Sequence, residues 1–174
     1  VNALPNFHLV QPINDHWAAG FGVTVPFGLA SDYPTDSDVA QYATETSIMG
    51  VNLNPNVAYA FNDRWSVGAG FDAMHVNAEY DDTLLDNDLS GWGYGYNLGV
   101  MYQWTPSTRV GVSYRSQMDT SLSGDSTPEI AANATTATTD IVFPAMSMLS
   151  MNKQLNAKWT LLSTLAYTQW SSIE

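Results

Sequence analysis

The sequence of 174 residues has no cysteine, only five basic residues and no long apolar run. Without cysteine there is no disulfide, no thiol nucleophile and no cysteine-ligated metal. Seventeen acidic residues give a net charge of −12, which argues against a nucleic-acid partner because phosphates require lysine and arginine. No stretch approaches the roughly 20 consecutive apolar residues of a transmembrane helix.

Charged residues of any kind are also scarce, at 13% of the chain, about half of what soluble globular proteins contain. Aromatic residues and glycines are plentiful, which suits strands with one apolar and one polar face. The three histidines, His8, His16 and His75, have no metal-ligand spacing, and no nucleophile motif accompanies them. We therefore expect no cofactor, no metal site and no enzymatic activity.

Strict alternation between residues 91 and 104 is the strongest pattern in the chain. The large side chains on one face are Trp92, Tyr94, Tyr96, Leu98, Val100, Tyr102 and Trp104. The other face carries glycine and mostly polar residues. A period of two predicts a β-strand, and its length exceeds the roughly 9–11 residues that a tilted membrane strand needs.

The same alternation recurs along the chain with short and long connections between the segments. It is found at 17–28, 51–61, 65–72, 110–115 and 159–168, and more weakly at 3–11 and 140–152. The short connections are 13–16, 62–64, 105–108 and 155–158, and the long ones lie near 29–47, 81–90 and 120–139. This order predicts an all-β, antiparallel up-and-down transmembrane β-barrel, of which the chain supplies about eight strands.

The positions of the tryptophans and of the acidic residues fit the same order of strands and connections. Four tryptophans, Trp17, Trp65, Trp104 and Trp159, lie beside the short connections, where a lipid–water boundary favours amphipathic rings. Thirteen of the 17 acidic residues lie in or beside the long connections, and the predicted lipid faces are uncharged. A soluble β-sandwich also alternates, but rarely needs such long strands.

Two irregularities are expected in the strands. After His75 the apolar residues move to the opposite phase, which predicts a bulge or a strand that has left the membrane. Pro144 predicts a kink or bulge in the weak strand at 140–152, because proline cannot donate to a sheet ladder.

Alternation also selects candidate functional residues. Five polar residues are predicted to face the barrel lumen: Asn52, Asn54, Asn56, Asp72 and Asn97. Arg115 is the one basic residue that alternation places on a lumen face within a strand. Its guanidinium could hold a ligand carboxylate, or it could form a structural ion pair with Asp72.

Apolar residues in and near the long connections are candidates for capturing a hydrophobic ligand. They are Leu29, Tyr33, Val39, Tyr42, Leu84, Leu85 and Leu89. The alternative is that these residues only pack the loops against each other. The acidic run at 86–91 resembles the start of a calcium-binding loop, but Asn97 stands where that loop needs glutamate, so a solvated acidic loop is expected instead.

Six segments in order resemble the FadL/OmpP1/TodX family of outer-membrane transporters. PINDHWAAGFG at 12–22 with PFGL at 26–29 matches its opening strands. The resemblance continues at 52–59, 65–71, 92–99, 109–116 and 167–171. Each segment is weakly specific, but together they cover nearly the whole chain outside its loops.

This resemblance implies a 14-stranded, monomeric barrel in the outer membrane of a Gram-negative bacterium. It implies passive transport of hydrophobic molecules, foremost long-chain fatty acids, through a barrel plugged by an N-terminal hatch and with a lateral exit. Lipopolysaccharide and outer-membrane lipid are the implied surroundings. Residues 1–174 would then form one partial barrel domain that lacks the hatch and the C-terminal strands.

Other functions remain open at this stage. A general porin or a structural or adhesive barrel would share the same strands, but a porin would require a more highly charged lumen. A barrel lipase would require a serine and a histidine near one rim, which the sequence does not indicate.

Overall fold

Ten β-strands form a single antiparallel sheet in the computed structural model, which describes residues 6–32, 45–81, 85–128 and 135–172. The strands are β1 (Phe7–Pro12), β2 (Trp17–Asp32), β3 (Glu45–Ala60), β4 (Trp65–Asp81), β5 (Leu85–Thr105), β6 (Thr108–Arg115), β7 (Met118–Pro128), β8 (Thr135–Phe143), β9 (Met146–Gln154) and β10 (Thr160–Thr168). A 3-10 turn at Trp170–Ser172 follows. No helix within these four described ranges is long and apolar enough to cross a membrane.

Eight of the strands make a continuous curved wall in the order β1-β2-β3-β4-β5-β6-β9-β10. β7 pairs with β5 and β8, so β7 and β8 are the outer part of the hairpin whose inner part is β6 and β9. Residues from β1 and from β9 line one cleft, which means that the wall curves around a concave face. The predicted antiparallel fold of about eight strands is confirmed.

The convex face of the wall carries the large apolar side chains. Trp92, Tyr94 and Tyr96 are all about half exposed, and the four tryptophans beside the short turns are exposed as well. Aromatic rings contact each other across strands there, with 4.7 Å between the centroids of Trp17 and Tyr59. The described strands include no second sheet over this face, so the sandwich alternative is wrong and the apolar side chains are free to meet hydrocarbon.

Two segments that the sequence predicted to be long connections are mostly β-strand in the structure. β4 and β5 pair through to Asp81↔Asp86, so the segment at 81–90 continues the wall, and the predicted solvated loop at 86–91 is wrong. The segment at 120–139 is largely β7 and β8. Aspartate, asparagine and glycine are depleted in strands, but pairing with a neighbouring strand overrides that preference.

The phase change after His75 is not a bulge. β4 pairs with β5 residue by residue from Trp65 to Asp81 without a register shift. Met74 and Val76 lie fully buried on the concave face, where they pack against β7 and β8. The apolar residues change sides because a second layer covers the concave face at this level.

A bulge does occur in β2. Its pairing with β3 passes from Thr24↔Asn52 to Phe27↔Gly50, so that Val25 and Pro26 together oppose one residue. Proline is tolerated there because a bulge leaves one backbone group without a ladder partner. The bulge shifts the alternation by one residue, and Leu29 then pairs with Ile48, which packs against the interior cluster.

Three of the short turns share one construction. Asn62 Oδ1 accepts hydrogen bonds from the backbone N–H groups of Arg64 at 2.9 Å and Trp65 at 3.0 Å. Asn14 and Asn156 accept the equivalent pairs of bonds in their own turns. Each asparagine thereby closes a tight turn and sets a tryptophan at the first position of the outgoing chain.

Candidate functional site

Asp72 is the centre of a polar network on the concave face. Its side chain is only 2% exposed. Asn52 Nδ2 donates to Asp72 Oδ1 at 2.7 Å, and Asn54 Nδ2 donates to the same oxygen at 3.1 Å. Asn97 Nδ2 donates to the other carboxylate oxygen at 2.7 Å. A buried carboxylate needs such donors, and here adjacent strands β3 and β5 supply them to β4.

Glycine makes room for this network. A Cβ atom on Gly70 would lie 2.8 Å from Asn54 Nδ2 and 2.8 Å from Asn97 Oδ1, so no larger residue leaves both amides in place. Asn56 extends the row by donating from Nδ2 to Asn54 Oδ1 at 2.9 Å. The asparagine side chains therefore hydrogen-bond along the inner surface of the wall, from strand to strand, instead of projecting into the interior.

A cleft of about 310 Å³ opens beside the network. Its lining residues are His8, Gly22, Thr24, Asn52, Asn54, Asp72, Asn97, Ser113, Tyr114, Arg115, Met146 and Met148. Arg115 supplies a guanidinium group to the cleft. The cleft thus combines a cation, amide groups and two methionines, which can hold a polar head and an adjoining apolar chain.

The predicted lumen residues lie together. Asn52, Asn54, Asp72 and Asn97 line the cleft, and Asn56 joins them through Asn54. Arg115 lines the same cleft as Asp72, so the two predicted roles for Arg115, ligand contact and charge partner of Asp72, are compatible with one location.

The predicted capture residues are more dispersed. Leu29 is 75% exposed, whereas Leu89 is half-buried and packs against the cluster around Met74. Tyr33, Val39, Tyr42 and Leu84 lie outside the described residues, as does the side chain of Leu85.

Sequence reasoning missed Met146 and Met148, which line the cleft beside Arg115. It also missed the interior cluster of Met74, Val76, Met118, Leu122 and Phe143. Met146 and Met148 stand two residues apart in the weak strand, but a period of two alone does not say which face a strand directs inward. The phase change after His75 was the signal for the cluster.

A second concave region lies at the end of the wall that carries the short turns. This cleft of about 530 Å³ is lined by charged residues of the turns, among them Asp15, Asp63, Arg64 and Arg109. Arg109 Nε donates to Gln103 Oε1 at 2.9 Å. Charges of both signs face each other there, which gives no preference for one ligand charge.

No group of three or more histidine, aspartate or glutamate side chains that could hold a metal ion occurs within the part of the chain that the structure describes.

Comparison with known proteins agrees with this geometry. The model of the family described as outer membrane protein transport protein (OMPP1/FadL/TodX) matches residues 1–174. Outer membrane protein P1 of Haemophilus influenzae is 27% identical over 98% of this chain and 46% of its own length. A long-chain fatty acid transport protein of Escherichia coli is 26% identical over 98% of this chain and 49% of its own length.

Solved structures show the same fold. A FadL homologue of Pseudomonas aeruginosa superimposes with a TM-score of 0.89 at 20% identity, covering 97% of this chain and 49% of that one. The Ralstonia pickettii toluene transporter TbuX gives a TM-score of 0.77 at 21% identity, covering 97% and 55%. The chain spans about half the length of the relatives that it matches. It belongs to the OMPP1/FadL/TodX family of outer-membrane transport proteins, and its curved wall is part of a transmembrane β-barrel in a Gram-negative outer membrane.

Proposed function

We propose that the complete protein carries hydrophobic molecules, foremost long-chain fatty acids, across the outer membrane by passive diffusion. One observation carries this proposal: an apolar interior surface and the Arg115 cleft lie on the same concave face. Apolar residues such as Leu29 and Ile48 lie on the concave face of the outer half of the wall. A ligand that moves along them is shielded from water at each step, at about 0.8 kcal/mol per buried CH₂.

Arg115 favours a carboxylate-bearing ligand over a plain hydrocarbon. The carboxylate of Asp72 already accepts bonds from three asparagines. One N–H of each asparagine is therefore taken by Asp72, and the guanidinium is the group of the cleft best suited to a carboxylate. Met146 and Met148 beside it can accommodate the first carbons of an alkyl chain. One related transporter is named for fatty acids and another for toluene, so this contact separates the two substrate classes.

The hatch and the lateral exit are part of the same proposal. The position of the bulge at Val25 and Pro26 supports an exit through the wall. The bulge lies just beyond Val23, whose pairing with Phe7 is the end of the described ladder between β1 and β2. A bulge interrupts the ladder between strands, and an interrupted ladder is the easiest place to separate them. A hatch would fill the concave face from the side of the short turns, where the larger cleft lies.

Fatty-acid uptake by cells that depend on the complete protein tests the role of Arg115. Arg115→Ala should weaken the binding of a long-chain fatty acid at least about tenfold, because a hydrogen bond to a charged group contributes about 1.5–3 kcal/mol. Uptake of toluene, which has no carboxylate, should not change. Arg109→Ala is the control, since Arg109 lies in the other cleft.

Equal loss of fatty-acid and toluene uptake in Arg115→Ala would mean that Arg115 supports the wall rather than the ligand. Unchanged fatty-acid affinity and uptake would remove Arg115 from the site. If the wild-type protein transports neither compound but conducts ions freely, the protein is a general pore instead.

A further inference from the structure

The outer part of one hairpin, β7 and β8, folds over the concave face while β7 remains paired with β5 at 123–128; we call these two strands the flap. Arg115↔Met146 and Met118↔Phe143 are both register partners, so the hairpin keeps one register below and above the bend. The bend falls at 116–117 in one strand and at 144–145 in the other, at the same level. The two strands therefore bend together at one level.

A bulge produces the bend on the side of β5. Pairing advances from Asn97↔Arg115 to Ser90↔Ser123, which is one residue more along the flap strand than along β5. Ser116 N donates to Tyr96 O at 2.9 Å, and Tyr96 N donates to Ser116 Oγ at 3.0 Å. A side-chain oxygen thus replaces a backbone carbonyl at the extra residue, and the extra residue turns the strand inward.

Three glycines on the concave face of β5 let the flap lie close to the wall. A Cβ on Gly95 would lie 2.6 Å from Met118 Cγ, and a Cβ on Gly93 would overlap Thr120 Oγ1. A Cβ on Gly91 would overlap the backbone oxygen of Ser121. Gly99, in the same strand and on the same face but below the flap, has its nearest atom at 3.9 Å. The close approach is therefore confined to the flap.

Apolar side chains pack the underside of the flap against the wall. Met118 and Leu122 are buried against Met74 and Val76 of β4. Thr120, only 1% exposed, has an Oγ1 with no hydrogen-bond partner among the residues that the structure describes. A buried hydroxyl without a partner disfavours the closed position, because water could satisfy it once the flap lifts. The flap can therefore separate from the wall without breaking a polar contact of Thr120.

The flap stands directly above the cleft. Arg115 and Met146, the residues at its foot, both line the cleft. Residues 85–90 of β5 pair with β7, and this backbone ladder is the hinge about which the flap can tilt. The distance between the flap and the opposite wall therefore depends on how closely the flap lies on the glycines of β5.

We propose that the tilt of the flap determines how bulky a hydrophobic ligand can reach the Arg115 cleft, and that Gly93 is the residue that fixes this tilt. The inference rests on the proposed function, because it requires ligand to enter from the side of the flap. It adds a specificity determinant that lies away from the cleft and touches neither Asp72 nor Arg115.

The test compares Gly93→Ala with Gly99→Ala in the complete protein in outer membranes. The first readout is the labelling of Leu122→Cys by a membrane-impermeant maleimide, which is clean because the chain has no other cysteine. The second is the uptake of a pyrene-bearing carboxylic acid relative to hexadecanoic acid. Gly93→Ala should raise the labelling several-fold and lower the uptake ratio several-fold, because it pushes the flap off β5 and towards the opposite wall, whereas Gly99→Ala should leave both as in the wild type.

A rescue variant separates flap position from general damage. Thr120→Ala in the Gly93→Ala background removes the overlapping oxygen, after which the next atom lies at 3.4 Å, and both readouts should return to wild-type values. Unchanged labelling in Gly93→Ala, or raised labelling without a fall in the uptake ratio, would overturn the proposal.

Two further outcomes are also decisive. Should Gly93→Ala fail to reach the outer membrane, Leu122→Ser replaces it, since it removes apolar contact without adding volume, and labelling is then read at Met118→Cys with the same expectations. If the wild type takes up neither acid, the proposed function fails, while the labelling of Leu122→Cys still reports whether Gly93 fixes the flap.

Discussion

Glycine on the concave face of this wall makes room for a neighbouring side chain at some positions and not at others. At Gly70 the neighbours are the amides of Asn54 and Asn97, which both donate to Asp72. At Gly68, two residues earlier on the same face, the nearest atom is the backbone oxygen of Val57 at 3.5 Å, an ordinary contact. The two glycines therefore differ in purpose although the sequence pattern treats them alike.

Gly70→Ala should destabilise the barrel by about 1–3 kcal/mol, because the displaced amides leave a buried carboxylate short of donors. The backbone itself should tolerate the methyl group, since the atoms in its way are the ends of side chains. Unfolding of the complete protein by urea in detergent micelles measures the change. Gly68→Ala is the matched control, and equal loss in both variants would contradict a specific role for the network.

The short turns are the elements that set the ends of the strands. In three of them an asparagine side chain caps two backbone N–H groups, and the fourth residue is tryptophan. The turn at 105–108 is built differently, with Trp104 preceding it and Pro106 within it. Trp65 stacks on Tyr102 with 4.4 Å between ring centroids, so the capped turn also positions an interfacial aromatic pair.

Asn62→Ala should slow the assembly of the barrel and lower its stability by about 1–2 kcal/mol, because two backbone donors lose their acceptor in one turn. Heat-modified electrophoretic migration of the complete protein reports the folded fraction. Asp63→Ala serves as the control, since the Asp63 side chain makes no hydrogen bond within the described part of the chain. A larger effect for Asp63 than for Asn62 would contradict the capping explanation.

The whole molecule is a wall with two edges. Among the described strands, β1 pairs only with β2, and β10 pairs only with β9. An open edge in a membrane leaves backbone groups without partners, which hydrocarbon cannot satisfy. The wall therefore requires further strands to close, and the solved relatives that it matches are about twice as long.

Residues 1–174 expressed alone should fail to form a stable folded species in detergent or lipid. The expected result is aggregation or broad, non-cooperative unfolding in urea, whereas the complete protein should show protease resistance and heat-modifiable migration. Reversible two-state unfolding of the isolated segment, followed by circular dichroism, would contradict this expectation.

Much of this architecture could be predicted from the sequence, because alternation is a local property of a strand that faces two different surroundings. The strand around Trp92 and Tyr94, the tryptophans beside the turns, and the grouping of Asn52, Asp72 and Asn97 on one face all follow from a period of two. The absence of cysteine and of apolar helices had already restricted the alternatives.

Only the tertiary structure decided what covers each face. A period of two separates the faces of a strand but does not say whether an apolar face meets lipid or another segment, so the phase change at Met74 and Val76 did not show which segment covers them. The flap lies far along the chain from β4, and its close approach depends on glycines whose neighbours are invisible in the sequence. Likewise, alternation placed Arg115 on the lumen face, but its position beside Met146 and Asp72 depends on the curvature that brings distant strands around one cleft.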